Sequence, residues 1–167
     1  MKYAEEFKIV PLLGSIDIVA TATSSNYVAL KDVVGLLEIS VNFGLITSTD
    51  STGEAVVTLQ ASNVSDTTSS DLAEAAIAFS YRLSGAVGTD TMGAITAATS
   101  AGVAVVNTSD NVSLLCYVDP SAVATLDAGY KFVRAVVTPT AEVTSTVVGA
   151  VARYLPRYAG NAIPSSS

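Results

Sequence analysis

Residues able to do chemistry are few in this chain, and they are scattered. Of its 167 residues none is His, one is Cys and 15 are Asp or Glu. Without imidazole there is no common general base, no usual metal ligand and no Ser-His or Cys-His pair. Zinc would need Cys or His ligands, and Cys116 stands alone in the apolar run Val112-Ser113-Leu114-Leu115-Cys116-Tyr117-Val118. A single thiol in such a run reads as an inert core residue. Neither a Gly-Lys-Ser phosphate loop nor the spaced glycines of a dinucleotide turn occurs. Paired carboxylates are the remaining enzymatic option. Asp50, Asp66, Asp90, Asp110, Asp119 and Asp127, however, all sit in turn-like contexts, where acids cap and solubilise. Two loops invite calcium, Thr49-Asp50-Ser51 and Ser109-Asp110-Asn111, but neither has the alternating acids of a dedicated site. The sequence predicts no catalytic residue, no metal site and no cofactor.

The elements that would have to position any site are strands. Leu37, Ile39, Val41 and Phe43 alternate with Glu38, Ser40 and Asn42, and Val57 and Leu59 alternate with Val56, Thr58 and Gln60. Each pattern has the period of two expected of a half-buried strand. The polar loop 47–53 joins these runs as a hairpin or a crossover between sheets. Ser15–Thr23, Ala75–Leu83, Met92–Ala97, Val103–Val106, Val112–Val118, Tyr130–Thr138 and Thr146–Leu155 read as further strands. For the segment from Asp71 a helix is the competing assignment, with Glu74 answering Asp71 as a capping pair. Asp119-Pro120 opens a short helix to Leu126, with Gly129 placed for a left-handed residue beyond its end. The spacing predicts an all-β, antiparallel sandwich or jelly-roll-like domain of eight to ten strands over residues 14–155. One short helix near 120–127 interrupts it. Residues 1–13 and 156–167 read as extended N- and C-terminal arms.

Composition narrows the partners. Half of the residues are apolar, only 14% are charged and Trp is absent, so the chain folds rather than staying disordered. A net charge of −7 with eight thinly spread Lys and Arg argues against nucleic acid. The N-terminal segment has Glu5 and Glu6 soon after Lys2, then Pro11, Gly14 and Asp17, so no signal peptide is expected. The charge-free stretch 91–109 is rich in Thr, Ser and Gly and predicts no membrane span. A soluble protein made in a cytoplasm is the expectation.

Three stretches carry a family resemblance. Phe79-Ser80-Tyr81-Arg82-Leu83-Ser84-Gly85 continues to Gly93-Ala94, and Tyr130-Lys131-Phe132-Val133-Arg134-Ala135-Val136-Val137-Thr138-Pro139 precedes Val148-Gly149-Ala150-Val151-Ala152 and Pro156-Arg157-Tyr158. Together with the opening Phe7-Lys8-Ile9-Val10-Pro11-Leu12 they resemble small virion structural proteins of tailed phages, of the head decoration or cement type. The likeness covers most of the chain and rests on strand patterns, not on a chemical signature. It implies a homotrimer bound to the major capsid protein on the outer surface of the virion, with arms lying along neighbouring subunits. Phe7, Ile9, Leu12, Tyr154, Arg157 and Tyr158 are then the candidate capsid contacts. Alternatives are a head-fibre base, neck or tail component, or a β-sandwich module that binds carbohydrate or protein; the lack of Trp weighs against a sugar platform.

Overall fold

The computed structural model describes residues 7–19, 21–85, 91–108 and 111–156. Alternating apolar residues become two packed antiparallel sheets, an all-β sandwich that does not close into a barrel. In chain order the strands are β1 (Lys8–Ile18), β2 (Thr23–Ser24), β3 (Val28–Ala29), β4 (Val33–Ser48), β5 (Glu54–Ser62) and β6 (Glu74–Ile77), followed by β7 (Phe79–Leu83), β8 (Thr96–Ala98), β9 (Val103–Val106) and β10 (Ser113–Val118). The helix α1 (Pro120–Leu126) then leads to β11 (Phe132–Pro139) and β12 (Val143–Pro156). One sheet runs β1-β12-β4-β10-β7-β8; the other runs β2-β11-β5-β6, with β3 also on β11 and β9 also on β5.

The inward faces follow from the alternation. Leu37, Ile39 and Val41 on β4 and Leu114 and Cys116 on β10 meet Val57 and Leu59 on β5 and Val133 on β11, all fully buried. Each such Leu, Ile or Val contributes about 1.5–3 kcal/mol relative to exposure. The loop after β4 is a crossover, since β4 and β5 lie in different sheets.

Three expectations change on contact with the structure. The run 75–83 is two strands and no helix: β6 pairs with β5 in one sheet, β7 pairs with β10 in the other, and Ala78 alone separates them. Gly129 is not left-handed; the Asp127 carboxylate instead accepts from its N–H at 2.7 Å and turns the chain after α1. The segment drawn as an arm over residues 1–13 is, from Lys8, the first half of β1, paired with β12 from Lys8↔Tyr154 onwards. Pro11 has no N–H to offer a further strand, and the register breaks at Pro11/Leu13 and Leu13/Ile16, so this sheet edge is blunted against accidental pairing. At the other end, β12 runs to Pro156, the last described residue.

Candidate functional site: an apolar groove beside the short helix

Cys116 lies on the inward face of β10 with no exposure, and burial pushes its thiol up to about 12. Four of the acids that could have paired, Asp50, Asp66, Asp119 and Asp127, are engaged locally. Asp50 accepts from the backbone and hydroxyl of Thr52, and Asp66 from those of Thr68, bonds that hold both carboxyls below the usual range. Asp119 caps α1, accepting from Ser121 N at 2.8 Å and Ser121 Oγ at 2.7 Å, with its carboxyl lowered in the same way. Among the described residues no three His, Cys, Asp or Glu gather where they could hold a metal ion. Asp90, Ser109 and Asp110 lie outside the described residues.

The residues expected to touch a partner divide sharply. Ile9 on the outward face of β1 is 59% exposed, whereas Leu12 at 2% and Tyr154 at 4% belong to the core and offer a partner no surface. Parity is the reason: Tyr154 shares its face of β12 with the buried Val148, Ala150 and Ala152. Lys8 Nζ lies 5.9 Å from the Tyr154 ring centroid. Phe7 is half-buried just ahead of β1. Arg157 and Tyr158 lie outside the described residues.

A different set of apolar residues is gathered at one end of the sandwich. α1 follows β10 directly and fastens itself through Val123, its one buried residue. The helix leaves Leu126 65% exposed, while Ile95 ahead of β8 and Leu36 on β4 are 66% and 57% exposed. Between them runs a groove of about 710 Å³ lined by Leu36, Phe79, Ile95, Ala97, Tyr117 and Ala122. It is continuous, through Ala78, Ala97, Ala98, Asp119 and Ala122, with a hollow of about 550 Å³ that reaches Ile77, Val118, Val123 and Leu126. The alanines make the trough; larger residues would have filled it.

Polar groups here are few and committed. The cross-strand register sets Arg153, Glu38, Tyr117 and Ser80 in one row over the outer face of the sheet. Arg153 pairs with Glu38 at 3.5 Å. Burial first, and Glu38 second, raise the Tyr117 phenol, with Arg82 and Arg153 opposing. Apolar walls with a sparse polar rim suit burial of a partner's side chains. Leu36, Ile95 and Leu126 come from three distant segments, so no local period announces the groove. The one sequence signal is the adjacent pair Leu36-Leu37, which cannot face inward together on a strand.

Protein-family models, curated proteins and solved structures were all compared with the chain, and none matches it.

Proposed function

We propose that this chain is a non-enzymatic structural domain that docks on a protein surface, and that the surface is the outside of a tailed-phage capsid, which it stabilises as a cement or decoration protein. The observation that carries the docking half is the groove beside α1, where three large apolar side chains stand mostly in water. Soluble domains cover such patches in an assembly. The capsid half rests on the sequence resemblance over the β7, β11 and β12 segments. Ile9 on the outward face of β1 remains a candidate contact, and Leu12 and Tyr154 leave the set. The buried thiol and the locally engaged acids agree with a binding role rather than with nucleophilic or carboxylate chemistry. A sandwich whose two sheets share one core is rigid, the property a clamp between capsomers requires.

Light scattering after size exclusion tests the assembly, and co-sedimentation with tailed-phage capsids stripped of their decoration proteins tests the location. The proposal expects a particle of three times 17.0 kDa and saturable binding to the capsids, lost in Leu36→Asp with Ile95→Asp. A folded wild-type chain that does not sediment with capsids, or a double variant that still does, overturns it.

A further inference from the structure

The helix α1 has a second flank. Pro120 and Ala124 are four residues apart and share a face opposite to Ala122 and Leu126. That face closes a pocket of about 490 Å³ with Ala29, Leu30, Tyr130 and Phe132 for its floor and Lys31 and Lys131 at its rim. Local structure puts the two lysines together. A single 3-10 turn, Leu30–Asp32, follows β3, and Leu30 N donates to Lys131 O at 2.8 Å, so the turn is hydrogen-bonded to the approach to β11. Phe132 is held edge-on by Tyr27, centroids 6.3 Å apart.

Among the described residues the other cations are occupied. Arg134 bonds Glu74 at 2.8 Å and Gln60 at 3.1 Å and lies 4.9 Å from the Tyr27 ring centroid. Arg153 pairs with Glu38, Arg82 donates to Gly93 O at 2.8 Å, and Lys8 sits over Tyr154. Lys31 and Lys131 are exposed and form no ion pair with Asp32 or any other carboxylate among the described residues. In a chain of net charge −7, two ammonium groups without a carboxylate partner among the described residues stand astride an aromatic-floored pocket.

We infer that this pocket receives a partner-protein segment in which carboxylates flank a large apolar or aromatic side chain. The apolar group would cover Leu30, Ala124, Tyr130 and Phe132, and the carboxylates would pair with Lys31 and Lys131. An apolar centre with a charged rim is the anatomy of a protein contact. A small-molecule site would bring more convergent hydrogen-bonding groups into the pocket. The inference concerns a different face from the groove and stands whether or not the partner is a capsid.

The test uses the full chain and two synthetic hexapeptides, one with Leu-Phe between pairs of Glu, the other with Lys in place of every Glu. Amide chemical-shift mapping should show saturable shifts at Lys31, Ala124, Tyr130 and Lys131 with the acidic peptide only. Lys31→Glu with Lys131→Glu should weaken that binding by about tenfold or more, as should raising salt from about 0.05 M to 1 M. The same spectra report that the variant is folded, and Lys31→Gln with Lys131→Gln removes the charge without reversing it. Equal binding of both peptides, shifts centred on Leu36 and Ile95, shifts caused by self-association on concentration, or no saturable shift up to about 5 mM each overturn the inference.

Discussion

Thr146 offers the sharpest test of how this core is held. Its side chain has no exposure, and its hydroxyl has no hydrogen-bond partner among the described residues. In register it lies between Ile18 on β1 and Ile46 on β4, both buried. A hydroxyl taken from water without a partner costs about 1–3 kcal/mol. Thr146→Val keeps the β-branched shape that the strand prefers and replaces the oxygen with a methyl group. The variant should therefore be more stable by about 1–3 kcal/mol, which at about 2–4 °C per kcal/mol for a domain of this size raises Tm by roughly 2–12 °C. Urea unfolding at constant m-value and calorimetry would measure it. The reverse change, Val148→Thr at another fully buried position of β12, should cost about the same 1–3 kcal/mol. A Thr146→Val protein no more stable than the parent would refute the reasoning, since the hydroxyl would then have a partner.

Two further outcomes follow from buried groups and backbone. Because the folded Cys116 thiol is pushed up to about 12 while an unfolded thiol ionises near 8.5, the unfolded chain releases its proton first as pH rises. The thiol's contribution is therefore fully present below about pH 8.5, and stability then falls by about 1.4 kcal/mol per pH unit towards pH 12. Cys116→Ala should lack that part of the alkaline slope in paired urea titrations; identical slopes would count against it. At Gly102, with φ of 89°, an added Cβ would sit 2.4 Å from Val57 O, while at Gly35, with φ of 74°, it would meet nothing within 4 Å. Gly35→Ala should lose only the left-handed penalty of about 1–2 kcal/mol, and Gly102→Ala about 1–3 kcal/mol more from overlap. Equal losses in chemical denaturation would contradict that reading.

Much of the fold was legible because water imposes a period of two on half-buried strands. The inward sets of β4 and β5 fall where the alternation puts them, and Asp119-Pro120 opens α1 as its capping chemistry requires. The division at Ala78 was hidden by the same rule. Ile77 and Phe79 are both buried, one from each sheet, so two strands facing a common core keep the parity of a single strand. Gly129 misled because glycine marks left-handed helix ends in general, and here the Asp127 side chain makes the turn without a positive φ. Tyr154 was legible and misread: its parity with Val148 and Ala152 marked it as inward. The groove and the lysine pocket could not be read, since both are assembled from segments that only the sheet topology brings together.

The pairing of β1 with β12 has a mechanical meaning. These antiparallel neighbours begin at Lys8↔Tyr154, so both ends of the described chain leave from the same corner. Their hydrogen bonds run across the strands, and a pull on the two ends acts along those bonds and loads the first pair before the next. The ladder peels open like a zipper, at a force set by one pair at a time, instead of sharing the load along its length. A domain attached to its surroundings through both ends would be the weak link of that attachment. Attached through its faces, it would transmit load through the sandwich itself.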